Sequence, residues 1–145
     1  MNFTNNPQQF LQIEGQRIAK YYTTNKKKLV GFNTKQDFID WYLQELARSE
    51  HKCHYCNTSI LSIRQLINTG VINGRKVSGG GIRGANFELD RKDPMGDYHE
   101  QNCVLSCYYC NNDKSNTFDY HTFLNIIGPA KMLAWNTLIK ALPKT

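Results

Sequence analysis

The sequence contains no apolar run that approaches the ~20 residues needed to cross a bilayer. Its opening residues, MNFTNNPQQF, lack both the basic segment and the apolar segment of a secretory signal peptide. Internal repeats are also missing. We therefore expect a cytoplasmic protein of 145 residues that has no membrane partner and forms one domain.

Acidic residues are scarce in two stretches of the chain. Residues 1–36 hold six Lys or Arg and one Glu, and residues 51–87 hold five Lys or Arg and no acid, within a net charge of +6. Positive charge concentrated in this way is typical of proteins that bind polyanions, although solvated lysine runs are also common. The pattern alone therefore fits a polyanionic partner and a solvated basic surface equally well.

The chain has five cysteines, and a reducing compartment disfavours a disulfide framework. Four of them form two C-x-x-C pairs separated by fifty residues: Cys53, Cys56, Cys107 and Cys110. Two such pairs predict a closed, four-thiolate structural Zn²⁺ site. The alternatives are a redox-active C-x-x-C and two unconnected buried pairs. Cys103 lies on the alternating stretch CVLSC and is predicted to be a small buried residue.

Hydrophobic periodicity and capping residues predict the helices and strands. Helices are expected over residues 8–22 and 34–48, after the first C-x-x-C as far as Gly70, after the second C-x-x-C with a break near Thr117, and from Pro129 to just before Pro143. In the first helix the apolar positions that follow a helical period, and so predict one face, are Leu11, Ile18, Ala19 and Tyr22. Two short strands are expected over residues 86–90 and 103–106.

Residues 70–84, GVINGRKVSGGGIRG, contain six of the ten glycines together with three basic residues. A segment of this composition cannot contribute a core. It is either a loop that brings its backbone close to phosphates or a mobile surface loop.

The stretch FELDRKDPMGDYHEQNCVLSCYYCNNDKSN, residues 87–116, resembles the HNH endonuclease motif, which is close to LDHxxP…G…N…LxCxxCNxxK. The zinc-stapled version of that motif lies between two C-x-x-C pairs, as here. The resemblance implies an α+β fold with a zinc-stapled ββα-metal core surrounded by helices. It divides the domain into a basic helical region (1–50), the core (51–116) and C-terminal helices (117–145).

The resemblance also implies roles for individual residues. Asp90 and Asn111 correspond to the ligands of a catalytic Mg²⁺ or Mn²⁺, whose preference for hard oxygen donors they suit. Asn102 corresponds to the motif asparagine that fixes the loop, and Lys114 to a basic position that contacts phosphate.

Arg91 stands where the common motif has a histidine that accepts a proton from the attacking water. Arginine has a pKa above ~12 and is not a base at neutral pH, but its planar fork can hold a phosphate oxygen. A rare-cutting restriction enzyme of the family shares this arginine and a Trp-Tyr pair ahead of the first C-x-x-C. That pair corresponds to Trp41 and Tyr42 here, so Tyr42 is a candidate for contact with the water, the alternative being a core tyrosine. Three histidines are weaker candidates: His99, His54 and His51.

The function implied by the resemblance is metal-dependent hydrolysis of double-stranded DNA, most simply by a homodimeric type II restriction enzyme. A phage or intron-associated homing or nicking endonuclease is an alternative, as is a zinc-stabilised nucleic-acid-binding module that has lost catalysis; a redox protein is a weaker one. The residues expected to contact DNA are Lys26, Lys27, Lys28, Arg75, Lys76, Arg83 and Lys114.

Overall fold

The computed structural model describes residues 2–143, in which helices surround a small antiparallel sheet. The helices are α1 (Pro7–Asn25), α2 (Lys35–Arg48), α3 (Ile60–Asn68), α4 (Tyr108–Lys114), α5 (Tyr120–Thr122) and α6 (Gly128–Lys140), with a π-helical turn (Phe123–Ile127) between the last two. The strands are β1 (Arg75–Lys76), β2 (Ile82–Arg83), β3 (Phe87–Arg91) and β4 (Cys103–Cys107). No helix of this part of the chain is long and apolar enough to cross a membrane.

The helix starts follow the capping residues of the sequence. Thr34 accepts a hydrogen bond from the backbone of Asp37, whose carboxylate accepts one from the backbone of Thr34, so α2 begins with the predicted capping box. α1 continues three residues beyond the predicted end at Tyr22. The hydroxyl of Thr24 and the side-chain amide of Asn25 donate to the carbonyl groups of Lys20 and Tyr21, four residues back in the helix.

The buried face of α1 differs from the prediction. Leu11 is 39% exposed, whereas Phe10, Ile18 and Tyr22 are buried, and so is the charged residue Glu14. The prediction for Leu11 was wrong because apolar periodicity alone gave no reason to place a glutamate in the core. Two hydrogen bonds from Arg17 compensate for the burial of the Glu14 carboxylate.

The glycine-rich segment forms a β-hairpin, which the sequence did not predict. Arg75 pairs with Arg83 and Lys76 pairs with Ile82. Gly79 and Gly80, at its tip, have φ angles of 96° and 85°, in the region that favours glycine. The hairpin therefore presents the basic residues of β1 on a defined element.

β3, β4 and α4 form a ββα unit. Asp90 lies opposite Val104 and Arg91 opposite Cys103 in the antiparallel ladder, and α4 begins directly after β4. Both strands extend one residue beyond the predicted ends. Asp90 and Arg91 thus lie at the end of β3, where the chain enters the connection to β4.

The C-terminal helices close one side of this unit. The break predicted near Thr117 is confirmed, since α4 ends at Lys114 and α5 begins at Tyr120. Trp135 of α6 is buried and packs edge-on against Tyr109 of α4. Gly128 lies so close to the Tyr55 carbonyl that an added Cβ would be 2.3 Å from it. The C-terminal helical run is therefore fitted to the loop that carries the first C-x-x-C.

Candidate functional site

The four paired cysteines converge on one point. All four are buried, and their sulfur atoms lie within 4.8 Å of one another. The Cys56 and Cys107 sulfurs are 3.9 Å apart, close to the ~3.8 Å expected for two thiolates on a tetrahedral zinc with bonds of ~2.3 Å. The cluster therefore fits a structural zinc ion. Four thiolates would leave the ion no open coordination position.

Two parts of the fold bring the cysteines together. The first pair lies between α2 and α3, and the second spans the end of β4 and the start of α4. The backbone amide of Cys107 donates to the Cys53 sulfur at 3.2 Å, and the amide of His54 donates to the carbonyl of Leu105 at 3.0 Å. Cys103 is buried outside this cluster, as predicted. Zinc would thus fasten the first loop to the ββα unit.

Asp90 is almost fully buried and strongly held. Its Oδ2 accepts a 2.5 Å hydrogen bond from the Tyr55 hydroxyl. The same oxygen forms an ion pair with the Lys114 ammonium group at 3.1 Å. Lys114 also donates to the carbonyl of Arg91 at 2.9 Å. Burial, followed by the charge of Asp90, raises the pKa of Tyr55 above its ordinary value, so its hydroxyl remains a donor. These donors occupy Oδ2 and none of them binds the second carboxylate oxygen.

Asn111 lies in the first turn of α4, beside the same strand. Its side-chain nitrogen donates to Glu88 Oε2 at 2.7 Å. Arg83 donates to both oxygens of Glu88, each at 2.7 Å. Asn111 is therefore linked through Glu88 to the basic β-hairpin.

Arg91 is fixed at the mouth of the loop between β3 and β4. Its guanidinium group donates to the carbonyl of Gly96 at 2.9 Å and lies 4.6 Å from the centre of the Tyr98 ring. The hydrogen bond uses only the Nη1 atom and the ring contact uses a face of the guanidinium, so the other N–H donors of the group can bind an anion.

The buried side chain of Asn102 makes three hydrogen bonds within that loop. Its nitrogen donates to the carbonyls of Asp93 and Asp97, and its oxygen accepts from the amide of Asp93 at 2.9 Å. These bonds fix the loop that carries Gly96. This geometry agrees with the loop-fixing role expected for Asn102, which has no direct contact with Asp90.

Asp90, Arg91 and Asn111 open onto one cavity of ≈ 270 Å³. A second cavity of ≈ 450 Å³ adjoins it and shares the side chains of Arg83, Leu89, Tyr98 and Asn111. Arg17 and Lys28 add positive charge to the second cavity. A carboxylate residue and an amide residue therefore line one cleft with a cationic extension, and residues of these two kinds suit a divalent cation and an anionic substrate.

Tyr42 lines the adjoining cavity of ≈ 450 Å³ and not the cavity that Asp90 lines. It is 2% exposed, and its hydroxyl bonds to Glu14 and accepts from Arg17 at 3.0 Å. Burial, followed by the charge of Glu14, raises the pKa of Tyr42 well above its ordinary value. The core alternative for Tyr42 fits this position. Tyr55 is the tyrosine that contacts Asp90.

Lys114 also differs from the expectation. Its side chain is fully buried, so the expected contact with a DNA phosphate does not fit its position. It forms an ion pair with Asp90 because α4 packs across β3 and turns Lys114 inward.

The other basic residues expected to contact DNA differ in their exposure. Lys26, Lys27 and Lys28 are exposed after α1, and the Lys28 ammonium group lies 5.4 Å from the centre of the Tyr98 ring. Arg75 and Lys76 are exposed on β1. Arg83 donates hydrogen bonds to Glu88, and its guanidinium group lies 4.8 Å from the centre of the Tyr108 ring. These contacts leave Arg83 less free to bind DNA.

The histidines lie outside the cavity that Asp90 lines. His54 bonds to the Tyr120 hydroxyl at 3.0 Å, and His99 bonds to Gln101 at 2.9 Å. His51 packs edge-on against Phe10. None of the three lines the cavity in the described part of the chain.

Sequence reasoning missed Tyr55, Glu88 and Tyr98. Glu88 had one available signal, since it lies two residues before Asp90 and side chains with that spacing share one face of a strand. Tyr55 had none, because its contact with Asp90 spans 35 residues.

No family model matches the chain, and no curated protein matches it at a significant level. A solved structure of the rare-cutting HNH restriction endonuclease PacI is similar to it, with a TM-score of 0.63 and 27% sequence identity. The similarity covers 85% of this chain and 80% of that one, so it includes helices outside the ββα unit. This chain is therefore an α+β protein with a zinc-stapled ββα-metal core of the HNH type, surrounded by helices and similar to PacI.

Proposed function

We propose that the chain is a cytoplasmic, site-specific endonuclease of the type II restriction kind, which hydrolyses double-stranded DNA with Mg²⁺ or Mn²⁺. The observation that carries this proposal is the meeting of Asp90, Arg91 and Asn111 in one cleft of an HNH-type core. The similarity to an HNH endonuclease supports the nuclease activity.

Asp90 and Asn111 would hold the catalytic cation through hard oxygen atoms. The cation would polarise the scissile phosphate and offset charge on the leaving oxygen. Asp90 suits this role because Tyr55 and Lys114 both bind Oδ2, which fixes the carboxylate and leaves its second oxygen available. The zinc ion would have a structural role only.

Arg91 would bind a non-bridging phosphate oxygen and stabilise the charge that develops on it. It cannot accept the proton of the attacking water at neutral pH. Tyr55 is also a poor base, since its pKa is raised and its hydroxyl donates to Asp90. The proton would therefore pass to solvent or to the substrate itself.

DNA binding would use the exposed basic residues on both sides of the cleft, in the Lys26–Lys28 segment and on the β1–β2 hairpin. One active site cuts one strand. Cleavage of both strands would most simply require a homodimer, whose two-fold axis would match a palindromic target.

The test is incubation of zinc-loaded protein with bacteriophage DNA and supercoiled plasmid, with and without Mg²⁺ or Mn²⁺, beside the Asp90→Ala variant. We expect discrete metal-dependent fragments from the wild type and none from the variant at unchanged zinc content. Equal cleavage by the variant would contradict the metal site. Nicked plasmid without linear product would favour a nicking endonuclease, and salt-sensitive binding without cleavage would favour an inactive DNA-binding module.

A further inference from the structure

The side chain of Glu88 connects a candidate metal ligand to the β-hairpin. One of its oxygens accepts from Asn111 and from Arg83, and the other accepts a second bond from Arg83. All three bonds are 2.7 Å long. The Glu88 carboxylate is partly buried, at 18% exposure, whereas the Arg83 side chain is 41% exposed.

The chemistry of this contact determines how the Asn111 amide is turned. An ionised carboxylate only accepts hydrogen bonds, so it selects the nitrogen of the amide and leaves the oxygen to face elsewhere. A hard cation binds the amide oxygen and not the nitrogen. The Asn111 amide can be turned in two ways. The orientation that Glu88 selects places the amide nitrogen against Glu88 and the metal-binding amide oxygen on the other side.

Arg83 explains why Glu88 is a better orienting group than a direct ligand. Its two N–H groups fork onto both carboxylate oxygens, and Arg83 packs over the Tyr108 ring, which limits its motion. With Asn111, the carboxylate therefore has three hydrogen-bond donors. These donors fill about three of the roughly four acceptor positions of the carboxylate, which leaves little room for a directly bound cation.

We infer that Glu88, held by Arg83, is a positioning residue that turns the carbonyl oxygen of Asn111 toward the divalent cation. This inference rests on the proposed function, because it requires the cation to bind at Asp90 and Asn111. Glu88 would act on the affinity for the cation through Asn111, without touching the cation or the DNA.

The test measures Mn²⁺ affinity of zinc-loaded protein without DNA, from the electron paramagnetic resonance signal of free Mn²⁺. We expect Glu88→Leu to weaken binding about 10-fold, the lower end of the usual effect of removing a group that orients a metal ligand. Glu88→Gln retains an oxygen that accepts from Asn111, so its affinity should stay within about 3-fold of the wild type. In an Asn111→Ala background, Glu88→Leu should have no further effect, since no amide is left to orient.

Two controls separate positioning from damage to the fold. Glu45→Leu removes another glutamate paired with an arginine, Arg48, and should leave Mn²⁺ affinity unchanged. Zinc content and the thermal unfolding midpoint of each variant report on folding. If Glu88 had only a structural role, Glu88→Leu would change these two quantities and leave the Mn²⁺ affinity unchanged.

The possible outcomes distinguish this inference from the proposed function. Asp90→Ala should abolish Mn²⁺ binding, and unchanged binding would contradict the proposed metal site itself. If Asp90→Ala abolishes binding but Glu88→Leu does not weaken it, only the inference is wrong. It is also wrong if Glu88→Gln weakens binding as much as Glu88→Leu, or if Glu88→Leu keeps its full effect in the Asn111→Ala background, since Glu88 would then act through its charge or as a ligand.

Discussion

Replacement of Lys114 by methionine tests the buried ion pair that holds Asp90. The Lys114 side chain is fully buried, and its ammonium group lies 3.1 Å from Asp90 Oδ2 and 2.9 Å from the Arg91 carbonyl oxygen. Methionine fills a similar volume without the charge. The substitution therefore removes the cation while largely preserving the packing around α4.

The expected loss follows from this geometry. At 3.1 Å and an effective dielectric constant of about 20, Coulomb's law gives an attraction of about 5 kcal/mol. Breaking a buried pair by removing one partner typically costs about 3–5 kcal/mol, because the other charge stays buried without compensation. Tyr55 still donates to Asp90, so we expect Lys114→Met to lower the free energy of unfolding by about 3 kcal/mol.

The assay is urea denaturation of zinc-loaded protein without added Mg²⁺ or Mn²⁺, so that no cation replaces the ammonium group. Combining Lys114→Met with Asp90→Asn should recover about 2 kcal/mol, since no buried charge then remains unpaired. Lys131→Met breaks an exposed pair with Asp113 and should cost less than about 1 kcal/mol. The reasoning is refuted if Lys114→Met costs less than about 1 kcal/mol, or if the double variant is less stable than Lys114→Met alone.

Three further predictions concern the cleft, the packing and the zinc site. Arg91→His should reduce the single-turnover cleavage rate about 100-fold or more, because the shorter side chain loses the phosphate contact and the contact with the Tyr98 ring. A cleavage rate equal to that of the wild type would show that Arg91 is not needed. Gly128→Ala should destabilise the protein by about 1–3 kcal/mol in urea denaturation, since the added Cβ would meet the Tyr55 carbonyl. Gly15→Ala should be neutral or stabilising, because an added Cβ there has nothing within 4 Å. Equal effects of the two substitutions would contradict the close packing of Gly128 against Tyr55. Four thiols should become reactive only after zinc is chelated, and their titration while zinc is retained would argue against the four-cysteine site.

Local sequence patterns predicted many of the helices and strands. The capping box of α2 follows from residues that interact within a few positions of one another, and the break near Thr117 and both strands of the ββα unit follow from local patterns of residue type. The zinc site was also predictable, because C-x-x-C spacing aims two sulfurs at one point and two such pairs complete a tetrahedron. The β1–β2 hairpin was missed because its strands have two residues each, too few to show an alternating pattern.

The partners of the site residues could not be predicted in the same way. Tyr42 was a candidate for contact with the water, Tyr55 was not considered, and Lys114 was expected to contact phosphate. Sequence reasoning had no measure of which side of a helix or turn meets β3. A buried polar side chain such as Glu14 is also unpredictable from periodicity, since its cost is compensated only by the particular donors that the fold supplies.

The sequence by itself determined the zinc ligands, the order of strand, loop, strand and helix, and the identity of Asp90, Arg91 and Asn111 as the residues of the cleft. Spacing and residue chemistry suffice for the zinc ligands and the order of elements, since these depend on neighbours along the chain. The identity of the three cleft residues followed from the resemblance of residues 87–116 to the HNH motif. Only the tertiary structure decided that Tyr55 and Lys114 hold Asp90 and that Glu88 binds Asn111. Those contacts join residues 35, 24 and 23 positions apart, so they depend on the packing of α4 and the first cysteine loop against β3.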